Sequence, residues 1–429
     1  MLRPYLAIMV TFHSSVVIGD DITEMVVWFF RYIGVAESQL FYYFIKSEGN
    51  PKEDPLLLWY CGGPGCSTLN GLIYEIVSIG FQYYRIQWRY TTIGILSILM
   101  DTANILFVDA PVGTGFSYPT NSSAFPTSDT KSALQTYEFL IKWINEHPEY
   151  LKNQLFIGAD SYSGITAPIV VQHILDGNEA GDKPRLNLKV DVIINENSKI
   201  TYSHRMALIS DELYKETKTS CNGNYYEVDP NQAECFENLQ KVSKLTHDIN
   251  KNCILEPKCT WASPEHNGES DRRSIEEEQE NFIFSPPKIP EMWCHNFNYA
   301  LSYVWANDDS VQQALYVRKG RVKDWKRCDK NLDYTMNVAS VLDLHRNLTS
   351  YGLQVLVYNG DHDLTVPNTG TQYWIKLLNL TVVNDWRPWL VDGEVAGEQD
   401  TRLKNTSGGN VMRCSRDGYI TILSSLTIC

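Results

Sequence analysis

A serine flanked by small residues is the sharpest chemical signal in this chain. Gly158-Ala159-Asp160-Ser161-Tyr162-Ser163-Gly164 follows an apolar run at 155–158 and precedes a helical pattern at 165–175. A serine on so tight a strand-to-helix turn is held in a strained conformation that lifts its hydroxyl above the sheet. The turn needs small side chains two positions to either side, and Ala159 and Ser163 supply them. The first turn of the helix then aims its amide groups and positive dipole end at developing negative charge. That is the equipment of a nucleophile that attacks a carbonyl. Taken alone, the heptapeptide fits an ordinary capped helix start equally well.

Two glycine loops and one acidic turn tip that balance. Cys61-Gly62-Gly63-Pro64-Gly65-Cys66-Ser67 follows an apolar run at 55–60. Glycines there let the backbone approach a substrate oxygen and offer it an amide; the bland reading is a tight structural turn. Asp109-Ala110-Pro111-Val112-Gly113-Thr114-Gly115-Phe116-Ser117-Tyr118 ends the run at 105–109 with a second glycine loop. Far downstream, a run at 354–358 leads into Gly360-Asp361-His362-Asp363, with Val366-Pro367 close behind.

These motifs need a scaffold of alternating elements. The apolar runs at 40–45 and 55–60, separated by the charged, turn-prone stretch 46–54, predict a long hairpin. Ser128 or Asp129 can cap a helix whose apolar stripe is Ala133, Tyr137, Leu140, Ile141 and Ile144, ended by Pro148. Strands alternating with amphipathic helices predict an α/β fold, a largely parallel sheet with helices on both faces. The stretch from about 188 to 305 differs: it carries five of the ten cysteines and a polar run at 264–280 that cannot bury a core. It reads as an insertion covering the ligand end of the sheet.

Composition narrows the function classes. A net charge of -14 over 429 residues leaves nothing to neutralise phosphates, which excludes nucleic acid as a partner. Ten cysteines without a Cys-x-x-Cys pair, and sequons at Asn121, Asn347, Asn379 and Asn405, favour an oxidising secretory route. Arg3, the apolar stretch 6–10 and Ser14-Ser15 make a short, poor leader within residues 1–20. No apolar run reaches membrane-span length, and the one at 26–35 is interrupted by Arg31. No metal or organic cofactor is implied, and the oligomeric state is not legible.

Together, in this order and spacing, the motifs resemble the serine carboxypeptidase family from roughly residue 39 to 397. Asp160 before the serine, Tyr162-Ser163-Gly164 after it and Asp385-Trp386-Arg387-Pro388-Trp389 look most like the plant serine carboxypeptidase-like branch that includes glucose-ester-dependent acyltransferases. The resemblance implies an α/β-hydrolase fold with a helical cap over a domain spanning 36–429. It implies Ser161 as nucleophile and Asp363, rather than Asp361, as the acid that orients the base. It further implies oxyanion donors in the amides of Gly63 and Tyr162, and substrate binding at Asp160 and Gly62. Three bridges are implied as well: Cys66 with Cys328, Cys221 with Cys235, and Cys259 with Cys294, which leaves over Cys61, Cys253, Cys414 and Cys429. The implied substrate is a small-molecule ester or a peptide, the location extracellular or vacuolar, and the stretch 261–284 a place where relatives are cut into two chains.

The sequence also departs from that pattern. In the order Ser…Asp…His the base should follow Asp363, yet the nine histidines lie at 13, 147, 173, 204, 247, 266, 295, 345 and 362. The closing Gly-Gly-His segment, its flanking strand and the final helix are not recognisable between 399 and 429; Gly408-Gly409-Asn410 echoes it with a residue that cannot act as a base. Cys61 stands where peptidases place the asparagine that holds a terminal carboxylate. The stretches 78–101 and 192–197 have lost the family pattern. Together these departures read as a degenerate or misassembled version of an active enzyme.

Overall fold

Strands made of residues apolar on both faces dictate the centre of the molecule. The computed structural model describes residues 28–76, 82–84, 87–89, 102–188, 198–225, 228, 231–256, 295–353, 355–391, 394–403 and 410–415. The leader segment, residues 192–197 and 264–280, Cys259, Cys294, Asn405 and Cys429 lie outside them. Strand β1 (Trp28–Val35) and strand β2 (Ser38–Ile45) form an antiparallel hairpin, so the sheet begins ahead of residue 36. Strand β3 is Leu56–Tyr60, β4 is Asn104–Val108 and β5 is Leu155–Ala159. The order is β1-β2-β4-β3-β5, antiparallel as far as β4 and parallel from β4 through β3 to β5.

That order overturns the expected hairpin between 40–45 and 55–60. Strand β4 lies between the two, antiparallel to β2 and parallel to β3. Both runs are buried on both faces, so each needs covered neighbours on either side rather than one partner across a turn.

Alternation along the strands sorts the core into two layers. Tyr42, Phe44, Leu58, Tyr60, Leu106 and Val108 face one side, where they meet Ala133, Leu140, Trp143, Val170 and Ile174. Those partners belong to helix α1 (Asp129–Glu146) and helix α2 (Ser163–Ala180). Phe41, Tyr43, Ile45, Leu57, Trp59, Ile105 and Phe107 face the other side, with Trp305, Ala306 and Trp325. Period-two alternation with both faces covered is what a central sheet between helical layers requires. Ser128, not Asp129, caps α1, its side chain accepting from the amide of Lys131.

Between the two halves of the chain stand helix α3 (Lys199–Arg205), helix α4 (Asp211–Ser220) and helix α5 (Ala233–Leu245). They share a small core of Ile200, Ile209 and Val242, and a disulfide joins Cys221 to Cys235. Helix α6 (His295–Ala306) returns the chain to the sheet.

A second sheet carries the acidic turn. Strand β6 (Val355–Asn359) is followed by helix α7 (Asn368–Leu377), strand β7 (Thr381–Val391), strand β8 (Glu394–Leu403) and strand β9 (Asn410–Ser415). The order is β6-β9-β8-β7, with β9 parallel to β6 and the other pairs antiparallel. A flanking strand therefore exists where the sequence showed none. Its six residues, Asn410 to Ser415, follow a composition that gave no alternation to read, and pairing with β6 and β8 decides its conformation.

Candidate active site

The serine turn is strained as its spacing requires. Ser161 has φ 54, a left-handed conformation that costs an L-residue about 1–2 kcal/mol and persists only where the surroundings enforce it. The turn is closed by amides of Ser163 to the Asp160 carbonyl at 3.1 Å, Gly164 to the Ser161 carbonyl at 3.0 Å and Ile165 to the Tyr162 carbonyl at 2.9 Å. Ser161 remains half-buried while Ser163 and Gly164 are buried beneath it.

The first glycine loop presses directly on this turn. A Cβ added to Gly62 would lie 2.4 Å from the amide nitrogen of Tyr162, 2.8 Å from the Asp160 carbonyl and 2.9 Å from Ser161 Cβ. Only glycine fits there. Gly63 follows with φ 113, again open only to glycine. Ser163 Oγ donates to the Cys61 carbonyl at 2.7 Å, and the Asp160 amide reaches the Tyr60 carbonyl at 3.3 Å, so loop and turn are tied on both flanks. Gly62 thus packs against Ser161 and Tyr162, with Gly63 next to it in the loop.

A bridge holds the loop from the far side. Cys66 is bonded to Cys328. The Ser67 amide donates to the Arg327 carbonyl at 2.7 Å, and the Asp329 amide to the Gly65 carbonyl at 2.9 Å. The second glycine loop plays a supporting part. Asp109, fully buried, accepts from Ser67 Oγ at 2.8 Å, the Thr68 amide at 2.8 Å and the Phe116 amide at 3.0 Å. Burial still pushes its carboxyl up to about 6. It locks the two loops together.

Of the two aspartates in the acidic turn, Asp363 is the one whose charge is felt by Asp160 beside the serine. Burial pushes Asp160 up to about 6, and the negative charge of Asp363 adds to that; the Ser161 amide and the charge of Arg327 oppose it. Asp363 is also pushed up to about 6 by burial, against amide bonds from Val366 at 3.0 Å and Thr365 at 2.6 Å and the charge of Lys199. Asp361 turns elsewhere: its carboxylate is 3.5 Å from His362 Nδ1, and its carbonyl accepts from Tyr202 at 2.6 Å. His362 therefore pairs toward Asp361. The Lys251 carbonyl accepts from the amides of Leu364 at 2.8 Å and Thr365 at 2.9 Å, and Ile254 donates to the His362 carbonyl at 3.0 Å, which clamps the turn.

Two residues tied to the serine turn or the loop beside it were not read from the sequence as part of the site. The Tyr162 hydroxyl donates to Asp129 at 2.7 Å, and Tyr334 donates to the same oxygen at 2.8 Å. Arg327 is the other. Its one available signal was adjacency to Cys328, whose bridge to Cys66 carries it to the first glycine loop. Asn121, Asn347 and Asn379 are exposed, although Thr349 of the second sequon is buried. Among the described residues there is no cluster of three metal-binding side chains, and no helix long and apolar enough to cross a membrane.

Comparison with known proteins converges on one family. A family model described as serine carboxypeptidase matches residues 29–411. Serine carboxypeptidase-like 16 of Arabidopsis thaliana is 40% identical over 382 residues, covering 86% of this chain and 81% of that protein. Serine carboxypeptidase-like 17 of the same plant is 41% identical over 384 residues, covering 85% and 80%. Among solved structures, the yeast prohormone-processing carboxypeptidase Kex1(delta)p from Saccharomyces cerevisiae superimposes with a TM-score of 0.66 at 16% identity, covering 93% of this chain and 88% of that one. That likeness shows the α/β-hydrolase fold.

Proposed function

The chain belongs to the serine carboxypeptidase family, and from that premise we propose that Ser161 takes up an acyl group from a sugar ester and passes it to an acceptor. The observation that carries the reading is Ser161 at φ 54, with Gly62 so near that no side chain fits between them. In the proposed reaction Ser161 Oγ attacks the ester carbonyl, and the carbonyl oxygen gathers charge against the amides of Gly63 and Tyr162. Expulsion of the sugar alkoxide, which takes up the proton that Ser161 Oγ gives up, yields the acyl-serine and the free sugar. The acceptor hydroxyl then reverses the sequence. Asp160 holds a polar group of substrate or acceptor, and Asp363 is the acid that would orient a base. The region 188–305 is the proposed cap, the two disulfides fit an oxidising secretory route, and the exposed sequons are proposed glycan sites.

The base expected by family order is not found among residues 364–429. No histidine stands between Asp363 and Cys429. Losing the base costs on the order of 10^6 in kcat in a well-studied serine protease, roughly 8 kcal/mol of barrier, so turnover by this chain is expected to be close to nil. The missing imidazole favours a second reading, a relative that binds ligands without turning them over. Incubation with a 1-O-acylglucose, followed by intact-mass and peptide mapping, separates the possibilities. A slow adduct on Ser161 is expected. Release of C-terminal residues from a peptide, without an adduct from the glucose ester, would assign a carboxypeptidase instead; no adduct and no release would leave binding alone.

A further inference from the structure

We infer that Asp129 is a positioning residue for acyl transfer: through the Tyr162 hydroxyl it fixes the peptide between Ser161 and Tyr162, and with it the amide proposed to face the oxyanion. The inference rests on reading Ser161 as the acyl acceptor, and adds to it a buried residue that acts through another.

Asp129 opens helix α1 and is fully buried. One carboxylate oxygen accepts from the Tyr162 hydroxyl at 2.7 Å and from the Tyr334 hydroxyl at 2.8 Å. The other accepts from the Val338 amide at 2.9 Å. Donors on every side call for an ionised carboxylate, and hydrogen bonds to a charged acceptor are of the stronger kind. The positive end of the α1 dipole favours that charge. Tyr334 is held in turn, because Tyr334 and Thr335 pair in parallel with Thr127 and Ser128 just ahead of the helix. Burial, then the bond to Asp129, pushes the Tyr334 phenol far up, so it stays a donor.

The serine turn needs such an anchor. Ser161 is left-handed, and Tyr162 returns at once to helical angles, φ -55 and ψ -28, without a side-chain cap for helix α2. Gly62 crowds the Tyr162 amide from one flank, where an added Cβ would come within 2.4 Å of its nitrogen. The bond to Asp129 ties the side chain of the same residue to a second helix. Held by both backbone and side chain, the strained peptide keeps one orientation before any charge develops. That is what preorganised stabilisation of an oxyanion requires. Loss of the hydroxyl would leave the ring in place and let the peptide rock, which costs the transition state more than the bound ground state.

Fluorophosphonate labelling of Ser161 in the full chain, with saturating imidazole, tests this when the rate at saturating probe is separated from probe affinity. Tyr162→Phe should lower that rate about tenfold and leave the affinity unchanged. Asp129→Asn should lower it at least as far. The double variant should fall short of the product of the two separate losses, because both changes break one link. Ile174→Val, a core change further along helix α2, should lower the melting temperature without slowing the labelling. If Asp129→Asn does not fold, Tyr162→Phe alone decides. Equal saturated rates for the parent and Tyr162→Phe would overturn the proposal. So would a loss confined to probe affinity, a loss matched by Ile174→Val, or losses that simply multiply in the double variant. A parent left unlabelled with and without imidazole would instead sink the acyl-transfer reading, and the role of Asp129 with it.

Discussion

Gly62 shows how little freedom the serine turn has. A methyl group there would sit 2.4 Å from a backbone nitrogen, which cannot swing away as a flexible side chain could. Gly62→Ala should therefore destabilise the fold by about 1–3 kcal/mol and suppress phosphonate labelling of Ser161, measured as a fall in melting temperature and in labelling rate. Asp160 gives a pH-dependent prediction. Its carboxyl is raised from 3.8 to about 6, so the folded chain holds a proton that the unfolded chain has released. Stability relative to Asp160→Asn is then lost as pH rises from about 4 to about 6 and stays lost above. The variant should gain on the parent by about 1–3 kcal/mol at pH 7 and by much less at pH 4, read from paired denaturant titrations. Residues of this kind were legible because motif spacing is local. Asp129 and Arg327 were not, since a bond to Tyr162 and a disulfide to the first glycine loop tie them in from 32 and 166 positions away from Ser161.

At the level of elements, sequence periodicity found the helix at 129–146 and the strand before the serine to within a few residues. It failed where pairing, not pattern, decides. The runs at 40–45 and 56–60 look like hairpin partners, yet a strand from beyond residue 100 separates them. Strand β9 carries no alternation and owes its shape to β6 and β8. The Cys66–Cys328 bridge connects the first glycine loop to a segment 262 residues further on. Replacing both cysteines by serine should cost about 2–5 kcal/mol and lower the melting temperature. A double variant with an unchanged melting temperature would contradict this account of the loop.

The whole molecule sets one more electrostatic condition. His345 is fully buried against Trp374, and burial pushes it down to about 3. A histidine kept neutral by the fold contributes stability above its ordinary value of 6.5, which is lost as pH falls toward 3. This opposes the trend set by Asp109, Asp160 and Asp363, so the parent chain should show a flatter profile than either class of variant. His345→Phe should lose less stability than the parent between pH 6.5 and 4, checked by melting temperature across that range. Above these terms stands the central claim that a strained serine, faced by backbone donors, is a real acyl site short of its base. The most direct measurement is the rate at which a fluorophosphonate labels Ser161, with and without added imidazole. Labelling near the uncatalysed background, raised saturably by imidazole and absent in Ser161→Ala, is the predicted result. Rapid labelling without imidazole would mean that a base already serves the serine, and no labelling under either condition would mean that the site does not accept acyl groups at all.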